Sequence, residues 1–424
     1  MLVVQQPEVV ITGVGVVTPI GVGRDAFWRS LLAGVSGVRR LARFNAEHLP
    51  VQIGAEIVDF DPSAFVSRRK SLKLMSRDAQ FGLAAADLAC RDAGLRPGLV
   101  DPRRFGVVLG ADRACLDLDE CEPTYRDCLD GGVFHFQRWG EAMYRAFPLL
   151  FLKVLPNMIA SHVAIAQDAQ GPNNTIHQAE ISGLVAVCEA IRTIQRGAAE
   201  VMIAGGASAQ TSPTDWIRHC VTGVLSRNSG QPSQVLCPFD ARRDGQVWGE
   251  GAAMLILESR PHAEARGAKI LARILSSASS SQARPNGRRP HWGGLGQALN
   301  LCLERSALRP ENLGHVNAHG LSGVAEDQAE AQALAQVLPD VPVFAPKSYF
   351  GNLGAAAGAV ELAASVLALE AGLVPPTLNY RVPDKLCPLN VVHAAPLVPR
   401  SDKAVTVNWT SIGQAVAVLL AGAG

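Results

Sequence analysis

GPNNTIHQAEISGLVAVCEAIRTIQRGAAEVMIAGGAS, residues 171–208, is the stretch on which the reading of the whole chain turns. Gly171-Pro172 opens a loop. Leu184, Val187, Ala190, Ile191 and Ile194 then recur at helical spacing, and Val201 to Ala204 predicts a buried strand ending at Gly205-Gly206. The charge sits where the helix begins: Glu180 lies just ahead of the first turn, where unpaired backbone N–H groups and the helix dipole favour a negative group. The same field lowers a thiol's pKa, so an acyl-transfer enzyme would place a nucleophilic cysteine there. This chain has a carboxylate.

The plan returns in VPVFAPKSYFGNLGAAAGAVELAASVLALEAG, residues 341–372, as a strand, a glycine-bearing helix start, small residues and a helix ended by Gly372. Two such units predict a duplicated chain, with halves 1–258 and 259–424, the second opening on the strand ILARILSSAS at 270–279. A chain of 424 residues buries a large core. Its net charge of +1 offers no electrostatic case for nucleic acid or a membrane surface. The run 147–155 is broken by Lys153 and stopped by Pro156, so no membrane span is expected, and MLVVQQPEVVITG has no basic segment of a secretory signal. Nine cysteines without a C-x-x-C pair suggest a reducing cytoplasm. Cys115, Cys121, Cys128 and His135 have spacings unlike zinc clips, so no metal is expected.

Residues 8–23, EVVITGVGVVTPIGVG, lack the third glycine and helix start that a dinucleotide loop needs. Helices are expected over 25–32 and 76–93, an edge strand over 50–60 and a buried strand over 105–110. Residues 111–150 form an unpatterned insertion. Arg68, Arg69, Lys70, Lys73 and Arg77 make a basic patch, read as a solvated face or a landing site for an acidic partner.

The central stretch resembles the active-site segment of the elongating β-ketoacyl-acyl-carrier-protein synthases and of polyketide ketosynthases, where the pattern is close to TACSSG. Ala179, Ser182 and Gly183 match, whereas Gln178, Glu180 and Ile181 depart, and Glu180 takes the cysteine's position. The opening strand resembles the family's own. Phe239, Asp240, Arg243, Asp244, Gly245, Gly249, Glu250 and Gly251 match its PFDxxRDGxxxGEGA. Asn317, Ala318, His319, Gly320, Ser322, Asp327 and Glu330 match NAHGTSTxxxDxxE, which puts His319 at the first catalytic histidine. Lys347 and Ser348 match K-S-x-x-G-H, with Asn352 in place of the second histidine. In the C-terminal NWTSIGQAVAVLL, Thr410, Ile412 and Gln414 replace the family's aromatic and glycine gate, leaving Asn408 and Gly413. Cys188 lies eight residues along the same helix, about 12 Å from Glu180 at the standard rise, and cannot substitute for the thiol.

The resemblance implies an α/β, thiolase-like five-layer α-β-α-β-α fold, no cofactor, and an acyl carrier protein with its phosphopantetheine-linked chain as partner. It also implies a homodimer, or a heterodimer with an active ketosynthase. Three outcomes stay open. One is a non-condensing partner in the manner of chain-length factors, in which Glu180 could ion-pair with Lys347 or His319. The others are a malonyl-carrier-protein decarboxylase using His319 and Asn352, and a synthase with altered chemistry. A scaffold that only binds carrier protein or lipid is the bland alternative.

Overall fold

The computed structural model describes residues 6–66, 69–113, 118–146, 148–228, 230–282 and 291–423. Among the described residues the main sheet has eleven strands, the two-residue Gly21–Val22 pairing the end of the first and the other ten forming its path: β1 (Val9–Thr18), β2 (Phe105–Ala111), β3 (Asn173–Ile176), β4 (Val201–Ala209), β5 (Glu250–Ser259), β6 (Ala272–Ser281), β7 (His315–Asn317), β8 (Val343–Phe344), β9 (Lys403–Trp409) and β10 (Gln414–Gly422). Their spatial order is β8-β7-β9-β10-β6-β1-β5-β4-β2-β3. Each half therefore runs third, second, fourth, fifth, first, and the sense of pairing repeats as well. β3, β2 and β4 are parallel while β4-β5 and β5-β1 are antiparallel, and β8, β7, β9, β10 and β6 follow the same rule.

A finer mark of duplication lies in the bulges. β1 carries an extra residue between Ile11 and Gly13 against β5, and β6 carries one between Ile274 and Ser276 against β10. Both fall at the fourth residue of the first strand of a half, where one unpaired residue bends the strand. The halves join where Val9, Val10 and Ile11 pair with Ile274, Arg273 and Ala272.

The helices are α1 (Arg24–Ala33), α2 (Arg77–Asp92), α3 (Met158–Gln167), α4 (Ser182–Gln195), α5 (Pro213–Thr222), α6 (Gly293–Ser306), α7 (Val324–Val337) and α8 (Ala357–Ala371), with shorter turns between them. α2 and α3 cover the outer face of the N-terminal sheet, and α6 and α7 the outer face of the C-terminal one. α4 and α8 pack between the two sheets in one core. The resulting five layers explain α8: every residue from Ala357 to Ala368 is buried, as a helix apolar all round must be. Gly354–Ala371 is long and apolar enough to cross a bilayer by composition, yet 89% of it lies inside the protein.

Close packing accounts for the glycines of the opening strand. A Cβ on Gly13 would sit 2.4 Å from the Ala89 carbonyl oxygen, and one on Gly15 2.0 Å from that of Ala85, so β1 seats α2 rather than a phosphate. The expected edge strand over 50–60 shrinks to Ile53–Gly54 paired with Arg39–Arg40, outside the main sheet. The residues after it are drawn inward instead: Ala55 N donates to Trp248 O at 3.0 Å and Ile57 N to the Glu250 carboxylate at 2.9 Å.

Candidate active site

The two central helices bring their N-termini together. A Cβ on Gly183, in the first turn of α4, would lie 2.7 Å from the carbonyl oxygen of Ala355, in the 3₁₀ turn Gly354–Ala356 that leads into α8. Contact this close needs small residues at both ends, which is what the repeated plan supplies. Ahead of α4, Ala179 holds a left-handed φ of 50°. The Ser182 hydroxyl fixes that turn, accepting from Gln178 N at 2.7 Å and donating to Ala179 O at 2.6 Å. A residue with a Cβ pays strain there, of order 1–2 kcal/mol, and the turn sets Glu180 at the helix mouth.

Glu180 lines a cavity of about 220 Å³ with Asp112, Arg113, Gln210, Arg218 and Trp248. Burial raises its carboxyl above the usual range, opposed by its own backbone N–H, by the Lys347 charge and by a hydrogen bond with Asn352. Asn352 is also fixed by Gln246 Oε1, to which its Nδ2 donates at 3.1 Å, and by Gly354 N, which donates to its Oδ1 at 3.1 Å. Asp112 binds the second helix mouth, accepting from Ala355 N at 3.3 Å, and burial pushes it up to about 6.

Behind this mouth lies a sealed ionic network. Lys347 Nζ donates to His319 Nδ1 and to His319 O, both at 2.8 Å, and is ion-paired with Glu361. Asn408 donates to Glu361 and to Val407 O, and its Nδ2 also approaches His319 Nδ1 at 3.1 Å. Glu330 accepts from His319 N at 2.6 Å and Gly320 N at 2.8 Å, clamping the turn that carries the imidazole. Burial lowers the His319 pKa well below its ordinary value and the Lys347 charge lowers it further, so the ring stays neutral at pH 7. With Nδ1 accepting from an ammonium, the ring proton belongs on Nε2. That Nε2 is buried and has no hydrogen-bond partner, a donor free for a carbonyl or an enolate oxygen.

The expected ion pair of Glu180 with Lys347 or His319 is therefore corrected. Lys347 spends its charge on Glu361 and its remaining protons on His319, and Glu180 bonds Asn352 instead. Cys188 is buried in α4 and its thiol is pushed up to about 12 by burial. Thr410, Ile412 and Gly413 form a stitched hairpin turn between β9 and β10. Thr410 N donates to Gln414 O at 2.8 Å, Gly413 N to Thr410 O at 2.9 Å, and Ile412 stands 70% exposed at the tip. Among the described residues none of these three lines the cavity beside Glu180.

In the basic patch, Arg69, Lys70 and Lys73 are exposed on the 3₁₀ helix Arg69–Leu74, and Arg68 lies outside the described residues, as does Cys115. Arg77 leaves the patch altogether: its Nη2 meets the buried Glu250 at 2.6 Å and its guanidinium stacks on Phe81 at 4.7 Å. The motif residues 239–251 are clamps between segments. Asp240 accepts from Arg381 N and Val382 N, and Arg243 pairs with Asp384 at 2.6 Å and Asp327 at 3.7 Å.

Glu361 was not among the expected site residues, although a signal existed. It is the lone charge inside AGAVELAASVLAL, and a glutamate in a wholly apolar helix needs a buried partner. Arg113 and Arg218 carry no such mark, because only the fold brings their two segments to one wall.

Two half-sheets of one topology, joined through β1 and β6 and enclosing paired helices whose N-termini meet beside a buried His-Lys network, define a thiolase-type protein. The chain belongs to the β-ketoacyl synthase family: the family's N-terminal domain model matches residues 6–263 and its C-terminal domain model residues 271–381. It is 35% identical over 408 residues to the tetracenomycin polyketide synthase ketoacyl synthase alpha subunit of Streptomyces glaucescens, covering 95% of this chain and 93% of that one. Among solved structures, the ishigamide ketosynthase/chain length factor superposes with a TM-score of 0.86 at 27% identity, over 99% of this chain and 100% of that one. A ketosynthase in complex with its type II polyketide acyl-carrier protein gives 0.83 at 29%, with the same coverage.

Proposed function

We propose that this member of the family does not condense, and acts as the partner of an active β-ketoacyl-acyl-carrier-protein synthase in the manner of a chain-length factor. One observation carries the reading: the group at the mouth of α4, the position of the family's cysteine, is the carboxylate of Glu180 tied to Asn352, and the thiol further along the same helix is inert. A mixed anhydride on Glu180 would be hydrolytically fragile, so no lasting acyl-enzyme forms. His319, Lys347 and Asn352 hold the catalytic positions as supports.

The partner face is argued from edges. β3 pairs only with β2, leaving its other side open with Asn173 and Asn174 exposed. Phe136 and Tyr144 stand exposed in the insertion 111–150, and Phe151 just after it. A bare sheet edge and exposed large apolar side chains are each surfaces that another chain can cover. Arg69, Lys70 and Lys73 are assigned to the acidic carrier protein. The reading needs no cofactor, divides the chain at 258/259 and places it in the cytoplasm.

A decarboxylase reading has one observation of its own. Burial favours a neutral Glu180, which would not repel a malonyl carboxylate, and His319 Nε2 is a ready donor to the enolate. Intact mass spectrometry of malonyl-carrier-protein separates the two. No turnover by the isolated chain, with product length or yield altered once an active synthase is added, supports the partner. Acetyl-carrier-protein formed by the isolated chain, and lost in His319→Ala, establishes the decarboxylase instead.

A further inference from the structure

The basic turn ahead of α2 carries a hydroxyl to which the partner reading gives no role. In SRRKSL, residues 67–72, Arg68 and Arg69 stand three and two positions before Ser71, and Leu72 follows it. Paired basic residues ahead of a serine, with an apolar residue after it, form the acceptor pattern of basophilic protein kinases. Their clefts pair the arginines with carboxylates and seat the following side chain in an apolar pocket. The chain has five other adjacent basic pairs, at 39–40, 69–70, 103–104, 242–243 and 288–289. The residue at the same distance from each is Ala42, Leu72, Gly106, Gly245 or His291, and none of these has a hydroxyl.

The fold keeps Ser71 at the surface. It is half-buried in the 3₁₀ helix Arg69–Leu74, with Arg69, Lys70 and Lys73 exposed around it. The turn is anchored from its far end, where Leu72 packs against the core under α2 and Leu74 O meets His162 Nε2 at 3.3 Å. A 3₁₀ turn has poor hydrogen-bond geometry and opens locally at little cost, so the stretch ahead of the anchor can extend into a kinase cleft. Asp61 is held below the usual carboxylate range by the Ser63 hydroxyl and the Ser63 N–H, each donating at 2.9 Å, and further by the Arg69 charge. Arg69, Lys70 and Lys73 against Asp61 leave the turn about two charges positive, and a phosphate of roughly −2 brings it to about zero.

We propose that Ser71 is a phosphoryl-acceptor site for a basophilic protein kinase, and that the phosphoserine cancels the charge by which this turn holds an acidic carrier protein. In the step, the bond from the γ-phosphorus of magnesium-bound ATP to its bridging oxygen breaks and the bond to Ser71 Oγ forms. The hydroxyl proton passes to the kinase's base, and ADP leaves. The effect on the carrier rests on the assignment of Arg69, Lys70 and Lys73 to that partner, whereas the acceptor site stands apart from it.

The full chain, incubated with magnesium-ATP and the catalytic subunit of cyclic-AMP-dependent protein kinase, is mapped by peptide mass. Phosphate on Ser71, absent from that peptide in Ser71→Ala, is expected, and an unmodified Ser71 overturns the proposal. A ³¹P titration of the phosphorylated chain then reads the surroundings of the phosphate. Its second pKa is expected below the ordinary value of about 6, because the cations favour the dianion, and should move back up in Lys70→Gln/Lys73→Gln. Calorimetric titration with a holo acyl carrier protein of a type II polyketide system should show binding about tenfold weaker or more after phosphorylation, the difference shrinking as sodium chloride is raised. Equal affinity of the two forms overturns the switch. Should neither form bind carrier, the assignment of the turn to that partner falls, and the ³¹P titration decides: a second pKa at its ordinary value, unmoved by the two lysine changes, overturns the proposal.

Discussion

Lys347→Met is the most informative single change, because Lys347 is the only ammonium ion-paired with the buried Glu361 among the described residues. Lys347 is 1% exposed and Glu361 fully buried. Removing one member of such a pair strands the other charge, at about 3–5 kcal/mol, whereas replacing both with apolar groups of similar volume is often neutral. Lys347→Met should therefore lower unfolding stability at pH 7.5 by that amount, and Lys347→Met/Glu361→Leu should recover most of it. The pH dependence adds a second handle. Burial raises Glu361 to about 7 from an ordinary 4.5. Between those values the folded protein holds a proton that the unfolded chain has released, so this group's contribution is full below pH 4.5 and is lost as pH rises through 7. At ~1.4 kcal/mol per unit the loss is of order 3 kcal/mol. The double variant lacks it and should gain on wild type between pH 5 and pH 8. Urea unfolding followed by tryptophan fluorescence at both pH values reads all of this out. A Lys347→Met deficit under about 1 kcal/mol, or a double variant no more stable than the single, would refute the ion-pair account.

Glu180→Cys should convert the mouth of α4 into the fastest-alkylating thiol in the chain, since the helix field favours a thiolate there and burial holds Cys188 at about 12. Iodoacetamide labelling mapped by peptide mass checks this. Glu180→Gln should stabilise the chain more at pH 8 than at pH 5, because burial penalises only the ionised acid, and denaturant midpoints at the two pH values measure the difference. Arg77→Met should cost about 3–5 kcal/mol, as the fully buried Glu250 loses its closest guanidinium, read by the same urea titration. His315, in β7, is fully buried with neither ring nitrogen partnered, and burial lowers it to about 4. The unfolded chain therefore takes up its proton first, and stability falls as pH drops from 6.5 to 4. His315→Leu should flatten that acid limb by about 3 kcal/mol, visible in an acid titration followed by far-UV circular dichroism.

Much of this arrangement could be read from residues alone, for a physical reason. Helices such as 182–195 and 357–371 are apolar at their own period, and their ends carry Gly197, just past the first, and Gly372, which takes the left-handed conformation that stops the second. Motif residues such as His319 and Lys347 could be singled out because they match a pattern of type and spacing, and the fold brings the two into contact. What stayed hidden depends on contacts across long separations. Arg77 looked like one of five surface cations, and only the fold shows that it reaches Glu250, 173 positions away. Glu180 and Lys347 were plausible ion partners by charge, but Glu361, a turn and a helix beyond Lys347, claims the ammonium first. The strand expected over 50–60 failed for a related reason, since hydrogen bonds to 248–250 outcompete a ladder that periodicity alone would favour.

The duplication explains why two helix N-termini share one space. Each half contributes one central helix, and the repeated topology obliges both N-termini to face the same small space. The positive ends of two dipoles there call for negative groups. Glu180 answers at α4 and Asp112 at α8, both pushed toward neutrality by burial, so the space is held by the chain's own acids. The network behind them is separate in its energetics. His319, Lys347, Glu361, Asn408 and Glu330 hold one another in a buried place, with His319 Nε2 and Asn408 Oδ1 left unpartnered, and deleting a charged member strands the charge it pairs. The network is thus stabilised by its own closure and does not depend on a thiol in front of it. On this account Glu180→Cys should leave stability close to wild type while Lys347→Met should not, and the contrast between the two measures how far the chemistry of the mouth is uncoupled from the support beneath it.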